Sequence, residues 1–550
     1  MSRNLSALSG RKGLKKNLFE QMAQISVNDG GSPAEAHLAK LADEFLMGDA
    51  NTYGSITAYD FMKPENRGKE IYVCNGSACL CAGTQDEVQE KILEHFDAAA
   101  IGHMTCLGRC HENSAFSYKN QNYSGNSINQ LAEIIKKEKH SKNGRYSVSA
   151  ARPVLTGDFR SFEAFRTLLE KTLARPSAEI LGEIRDSEIR GRGGAGFPMH
   201  IKWESCRNEI SDEKFIICNA DEGDPGAFSD RYLLEEQPLM VLFGMMVAGY
   251  CTGANWGVIF IRAEYPEAVE IIQQAIHKLH ELNLLGDQIL NSEFNFNFKV
   301  IKAQGAYICG EETALINAIE GQRPEVRTRP PFPAKQGLFL KPTVVNNVET
   351  LAAATWIVQH SGKEYAAMGT EKSRGTKLIS LDGLFQKPGI VEVEMGTPLG
   401  TVIEEYGGGF RKGVKALHIG GPLGGIVPIE KINSLSIDFE SFASQGFLLG
   451  HASVVCIPED FPMIKYLEHL FEFAAFESCG KCFPCRLGTK RAHQMLSGAA
   501  HEMKAIDRNL FMDLLSTLQQ GSLCAHGGGI PLPARNALQY FNDELSLHFS

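Results

Sequence analysis

Cys479, Cys482 and Cys485, spaced C-x2-C-x2-C, are followed far downstream by Cys524. Three ligands on one tight loop and one remote cysteine is how a chain holds a [4Fe–4S] cubane, and Lys481 and Arg486 beside them offset negative charge. Four-cysteine zinc is the alternative, but its usual pair of two-residue knuckles is missing. A second set is wider: Cys74 and Cys79 as C-x4-C, then Cys106 and Cys110 as C-x3-C. Wider loops suit a [2Fe–2S] rhombus approached from both sides, although spacing alone leaves zinc open. Cys81 reads as a spare thiol, His111 as a surface or loop histidine, and His526 as a neighbour of the cluster rather than a ligand.

Gly191 to Trp203, GRGGAGFPMHIKW, is the other chemical landmark. Its glycines strip side chains from the backbone, so that peptide N–H groups can close on an anion such as a phosphate. Gly191, Gly193 and Gly196 satisfy G-x-G-x-x-G. The preceding SAEILGEIRDSEI has helical rather than strand periodicity, so the context of an ordinary dinucleotide fingerprint is absent. Downstream, a strand through FIICNADEGDPGAF ends in Asp221, Glu222 and Asp224, the place where an α/β fold sets ligand contacts. GAYICGEETALINAIEG puts Gly310, Glu311 and Glu312 at a helix entry, where two acids also simply complement the helix dipole. The rigid Arg329–Pro333 segment carries Phe332. Asn346 and Asn347 precede a further helix, either as carboxamides that read a ring's carbonyl and imide edges or as helix caps.

These parts need a scaffold. At 550 residues and 43% apolar content the chain has room for several domains, and a formal net charge of -10 without a basic stripe argues against a nucleic-acid partner. Eight of 14 cysteines fall in metal-spaced clusters, which points to a reducing, cytoplasmic setting. Met1 to Phe19, basic with no acid, reads as an arm or helix start rather than a transit peptide. Gln237 to Ile261 lacks charge, but turn chemistry at Tyr250–Asn255 splits it into a helix (Leu239–Gly249) and a strand (Gly257–Ile261), so no membrane span is expected. Residues 16–48 read as a helical cap with Leu38, Leu41, Phe45 and Leu46 on one face and a start at Ser32-Pro33. Ser141 to Ser147 is the best linker, and GGPLGG reads as a tight strand connection.

TYGSITAYDF with IYVCNGSAC and CLGRC resembles the thioredoxin-like [2Fe–2S] subunit of respiratory complex I. GRGGAGFP, NADEGDPG, YICGEETAL, RPPFPA and PTVVNNVET resemble, in order, its FMN- and NADH-binding subunit and related diaphorases. The resemblance implies that Gly191, Arg192, Gly193, Gly194, Gly196 and Lys202 cradle the FMN phosphate. Asn219, Asp221, Glu222, Gly310, Glu311, Asn346, Asn347 and Thr350 would surround the flavin, Phe197 and Phe332 stack on the NADH adenine, and Glu312 and Asp224 meet its polar edges. Glu222 and Glu312 are the candidate catalytic acids. The family often has a glutamate where Asp224 stands and an aromatic where Ser205 stands.

The expected architecture is a multidomain α/β chain: a helical segment (1–65), a thioredoxin-like [2Fe–2S] domain (66–142) and a Rossmann-like FMN/NADH domain (143–370). A β-grasp module (371–456) and a helical bundle carrying the [4Fe–4S] cluster (457–550) complete it. NADH gives up a hydride whereas a cluster accepts one electron, so a flavin must stand between them. The expected function is a diaphorase subunit passing electrons between NAD(H), FMN and clusters, partnered by an iron–sulfur subunit and by a hydrogenase or formate dehydrogenase subunit on another chain. An electron-bifurcating flavin subunit, a stand-alone NADH oxidase and a zinc-binding scaffold are the alternatives.

Overall fold

The computed structural model describes residues 13–137 and 147–550. Arg3, Arg11 and Lys12 of the basic stretch, and the expected linker apart from Ser147, lie outside the described residues. Helices α1 (Leu18–Asn28) and α2 (Glu35–Glu44) come first. Asn17 caps α1 by accepting from the Glu20 amide, and Leu18, Phe19 and Met22 pack with Ile217, Phe260 and Leu315. The helical cap therefore docks on the second unit's sheet. Leu46 departs from the expected apolar face: the helix ends at Phe45, and Leu46 turns out with φ 53°, 69% exposed.

The first small unit runs β1 (Ile71–Cys74), α3 (Ser77–Ala82), α4 (Gln85–Leu93), β2 (Ile101–Met104), β3 (Phe116–Tyr118) and β4 (Gln121–Tyr123), with strand order β2-β1-β3-β4. β1 and β2 are parallel with Cys74 opposite Met104, so both cysteine segments leave the same edge of the sheet. The stretch expected as a plain loop after Cys74 coils into α3, which carries Cys79 and Cys81.

β5 (Val148–Ala150) follows, then α5 (Ser177–Asp186) and α6 (Met199–Asn208), with the glycine segment between the two helices. Next come β6 (Phe215–Ala220), α7 (Ser229–Glu236), α8 (Pro238–Thr252), β7 (Trp256–Ile261), α9 (Pro266–Glu281), β8 (Asn297–Lys302), α10 (Glu312–Ile319), β9 (Thr343–Asn347) and α11 (Val348–Gln359). The sheet is parallel, in order β8-β7-β6-β9. The chain steps outward from β6 to β8, then returns to the far side of β6 with β9. A crevice opens where that order reverses, at the carboxyl ends of β6 and β9, and Asn219 and Asn347 face each other there in register. α8 continues through Tyr250 to Thr252 and stops at Gly253, in the left-handed region, so the turn is shorter than expected. α8 is buried on nearly every side, because its backbone touches α11: a Cβ on Gly244 would lie 1.9 Å from the Leu351 carbonyl oxygen. Among the described residues no helix is long and apolar enough to cross a membrane.

A six-stranded sheet follows from β10 (Thr376–Leu381), β11 (Gly389–Glu394), β12 (Val414–Ile419), β13 (Gly425–Pro428) and β14 (Ser453–Pro458), in order β13-β12-β14-β10-β11-β5. GGPLGG is the connection between β12 and β13. The boundary expected at 371 leaves out one strand of this sheet, because β5 closes its edge against β11, and the Val154, Leu155 and Thr156 amides donate to Glu392 nearby. Helices α12 (Met463–Phe476), α13 (Phe483–Glu502), α14 (Arg508–Gly521), α15 (Ala525–Gly529) and α16 (Pro531–Tyr540) end the chain.

A fully buried ion pair helps to tie the two sheet units together. Lys377 on β10 donates to Glu349 on α11, both side chains fully buried, and the Leu378 amide donates to the same carboxylate at 3.1 Å. Removing the cation alone strands a buried charge, which costs about 3–5 kcal/mol. Lys377→Met should therefore lower stability by about that much in a denaturant titration, and Lys377→Met with Glu349→Leu should recover most of the loss.

Candidate functional site

The glycine segment lies against the carboxyl ends of β6 and β9. Gly194 and Gly196 have φ of +112° and +59°, which favour glycine, and a Cβ on Gly193 would come within 3.0 Å of the Asn347 side chain. Behind Gly194 is the Gly450–His451 backbone. The segment is pinned at one end by Thr350, whose hydroxyl accepts from the Arg192 amide at 2.9 Å, and at the other by Arg190, which donates to the Gly196 carbonyl at 2.7 Å. This is a cradle without side chains, as an anionic phosphate requires.

Several expected ligand residues serve the scaffold instead. Arg192 does not face an anion: its guanidinium is buried and donates to the Tyr365 hydroxyl and the Arg374 carbonyl. Glu222, expected as a catalytic acid, has both carboxylate oxygens engaged. Oε1 accepts from the Asp230 amide at 2.9 Å, and Oε2 accepts from the Arg231 amide and the Tyr265 hydroxyl at 3.2 and 3.1 Å, so it caps α7. Glu311 caps α10, and Asn347 caps α11 while donating to Asp230 at 2.6 Å. Both side chains thus accept from the first amides of the helices they precede. Asn346 accepts from the Trp203 indole at 2.8 Å.

Other expected residues line the opening. Asn219 donates to the Gly310 carbonyl at 2.8 Å, joining the end of β6 to the turn before α10. Lys202 pairs with Glu312 at 2.9 Å, and Arg329 holds the other oxygen of Glu312 at 2.8 Å. Phe197 and Phe332 remain 46% and 56% exposed, two aromatic faces left open to solvent. Burial pushes Asp221 up to about 8, with Arg262 pulling it back, and its Oδ2 has no hydrogen-bond partner. Asp224 is also pushed up by burial and accepts from the Tyr307 hydroxyl at 2.8 Å. Tyr307, Gly421 and His451 escaped the sequence reading. A Cβ on Gly421 would strike the Asp224 carboxyl at 2.3 Å, so the GGPLGG connection closes over the acid. Only the glycine doublet hinted at this.

The turn Tyr307–Gly310 has two sides. Gly310 touches the crevice, while Ile308 lines a cavity with Cys479, Cys482, Cys485, Cys524, Val326, Leu523 and His526. Cys482 immediately precedes α13, Cys485 lies in its first turn, and Cys524 precedes α15. Burial pushes the Cys485 and Cys524 thiols up to about 12 and 11. Four soft donors around one largely apolar cavity fit a [4Fe–4S] cluster. His526 is buried and bonded to the Ala474 carbonyl, which leaves it a wall residue.

Cys74, Cys79, Cys106 and Cys110 are all buried, and the Cys106 and Cys110 sulfurs are 3.4 Å apart. A hydrogen bond from Cys79 draws Cys74 down to about 7, and the Gly76, Leu107 and Cys106 amides also point to its sulfur. Amides directed at thiolates suit a bound two-iron centre. Cys81 is buried away in the core, its thiol pushed well up by burial. His111 is not on the surface but is packed tilted against Phe228, with ring centroids 4.8 Å apart.

Known families and proteins are similar to this chain over both regions. The Nuo51 FMN-binding domain matches residues 184–356, and the NADH-ubiquinone oxidoreductase-F iron-sulfur binding region matches 465–548. The NADP-reducing hydrogenase subunit HndC of Solidesulfovibrio fructosivorans is 39% identical over 383 residues, 69% of this chain and 78% of that one. The F subunit of NADH-quinone oxidoreductase of Escherichia coli strain K12 is 36% identical over 398 residues, 72% of this chain and 89% of that one. Over 97% of this chain and 93% of the other, the fold superposes on a chain of the NAD+-reducing [NiFe]-hydrogenase in its H2-reduced state, with TM-score 0.85 and 27% identity.

Asp221 yields a pH prediction. Its folded pKa lies above the ordinary carboxylate value, so its contribution is present at low pH and lost as pH rises towards about 8. In the flavin-free chain, Asp221→Asn should melt above wild type at pH 8, with the gap narrowing steadily as pH falls to 5.

Proposed function

The chain belongs to the family of the F subunit of NADH-quinone oxidoreductase, with its FMN-binding domain and iron–sulfur region, and from that premise we propose that it is a diaphorase subunit carrying a two-iron centre as well. It works as an NAD(H)-dependent flavoprotein within a multi-subunit oxidoreductase. The single observation that carries the reading is the turn Tyr307–Gly310, one side of which forms the crevice wall and the other the four-cysteine cavity. A ring held in the crevice is separated from the cavity by little more than that turn.

In this reading Gly191, Gly193, Gly194 and Gly196 cradle the phosphate and Lys202 faces it. Asn219, Asp221, Gly310, Glu311, Asn346, Asn347 and Thr350 build the walls. Phe197 and Phe332 offer their open faces to the adenine, and the Lys202–Glu312–Arg329 chain orders the rim where the nucleotide enters. Bound flavin supplies the exchange between a hydride donor and one-electron acceptors. Glu222, buried, and Asp224, half-buried, order the wall behind the ring through their hydrogen bonds to the α7 amides and to Tyr307.

Support for the two-iron centre comes from the first unit: its β2-β1-β3-β4 sheet is of thioredoxin-like order, and it delivers four buried cysteines to one edge. The units proposed are 66–142, 143–370 and 457–550, with the intervening β-grasp sheet borrowing 148–150. A partner iron–sulfur chain would dock beside the four-iron site, where Phe483 and Leu523, next in sequence to ligand cysteines, are 68% and 46% exposed. A hydrogenase or formate dehydrogenase chain would complete the complex, and the cytoplasm suits the buried free thiols.

Reconstituted with FMN, iron and sulfide, the chain should be brown, and NADH should bleach its flavin band. Cys106→Ser should erase the two-iron paramagnetic signal and leave the four-iron one, whereas Cys524→Ser should do the reverse and slow NADH-driven dye reduction at least about tenfold. A colourless, zinc-containing protein would sink the proposal.

A further inference from the structure

Behind the glycine segment lies a buried cluster whose histidine the reading above does not use. Glu222, Asp230 and His451 each bring a donor atom within 4.8 Å of the others, and all three are buried. His451 Nε2 is 3.3 Å from Asp230 Oδ2, and Nδ1 is 3.7 Å from Glu222 Oε1. The two ring nitrogens thus face different carboxylates. A neutral imidazole has one N–H and one lone pair, so in that form it could serve one carboxylate only, and its other nitrogen would have just the Ser229 hydroxyl or the Asn347 amide, each at 3.5 Å, to set against the second. Glu222 is already engaged by the Asp230 and Arg231 amides and the Tyr265 hydroxyl, which leaves it poorly placed to hold a metal ion.

The cluster touches the proposed FMN cradle at two points. The His451 amide nitrogen would be 3.9 Å from a Cβ on Gly194. Asn347, which crowds Gly193, donates to the same Asp230 oxygen that faces His451. We propose that His451 is a positioning residue of the flavin pocket: as an imidazolium shared by Glu222 and Asp230, it fixes both carboxylates and the charge directly behind the glycine cradle. This rests on the placement of FMN proposed above.

The charged groups facing the ring are Glu222 and Asp224 from the end of β6, Asp230 from α7 and Lys377 from β10. Burial works against the charged ring, but Asp230 and Glu222 outweigh burial and Lys377, and its pKa is pushed up to about 9. Without His451, two neighbouring buried carboxylates would face each other unscreened, and one would have to take up a proton or move.

The test uses the full chain stripped of FMN, with His451→Gln, which keeps a polar side chain and removes the charge. FMN affinity, read by quenching of flavin fluorescence, should fall about tenfold. The melting temperature of wild type should exceed that of His451→Gln most at pH 6.5 and below, because a raised histidine pKa stabilises there, and the difference should shrink as pH rises through about 9. Adding Asp230→Asn removes the repulsion and should restore FMN affinity towards wild type. Unchanged affinity in His451→Gln, or a melting difference flat with pH, overturns the proposal. If His451→Gln does not fold, the double variant decides: folding with FMN binding supports the proposal, and a double variant as defective as the single overturns it. Gly193→Ala separates the two claims. Should it bind FMN as wild type does, the flavin placement itself fails, whereas lost binding alongside a flat His451 profile refutes the imidazolium role alone.

Discussion

Arg262 is buried and donates to three backbone carbonyls drawn from two units of the chain. It reaches Glu222 at 2.7 Å on its own sheet, and Cys106 and Thr105 at 3.0 and 2.8 Å on the cysteine loop of the first unit. Glu264 balances its charge at 2.8 Å. A guanidinium suits this task because its donors form a planar fork and it stays protonated when desolvated. Arg231 repeats the device by donating to the Gly108 carbonyl, and Gly108 has no Cβ because the Tyr265 ring lies where one would be. Buried cations held by carbonyls are costly to form and costlier to break, so the cysteine loop has one orientation relative to the sheet.

That constraint explains what could be read from the sequence and what could not. The four-cysteine spacing of Cys479 to Cys524, the glycine segment and the parallel-strand patterns are local, and the structure finds them where the sequence indicates. Which glutamate caps and which faces a ligand is not local. Glu222, Glu311 and Glu312 look alike as acids beside a helix entry, yet the first two accept from backbone amides, whereas the third pairs with Lys202 and lies closer to Arg329, at 2.8 Å, than Glu311 does at 3.8 Å. Arg192 misled for the same reason: beside glycines it looks like an anion ligand, but Tyr365 and the Arg374 carbonyl, far along the chain, bury it. β5 could not be assigned at all, because an edge strand of three residues takes its register from β11.

The absence of a strand before the glycine segment also has a physical account. In an ordinary dinucleotide fold the glycine turn follows the first strand and borrows its rigidity. Here α5 leads in, so the segment must be fixed from outside: by Thr350 on α11, by Arg190 with its Glu440 partner at 2.6 Å, and by the Gly450–His451 backbone of the small sheet unit. The cradle is assembled from three parts of the chain rather than grown from one, and its glycines answer to positive φ at Gly194 and Gly196 and to the close approach of Asn347 at Gly193.

One topological rule then accounts for the placement of these parts. Parallel strands bring their carboxyl ends to one edge, and each end here delivers a different part. β6 ends in Asn219 and the acids; beyond β7 lie Arg262, which grips the loop at Thr105 and Cys106, and Tyr265, whose ring packs on Gly108. β8 leads to the Tyr307–Gly310 turn against the second cysteine set, and β9 ends in Asn347 beneath the glycines. Because neighbouring strands are only about 4.8 Å apart, the four parts cannot drift from one another without breaking the sheet. The spacing between the crevice and the two cysteine sets is therefore set by strand order, and the cap, the small sheet and the helical bundle pack around that edge.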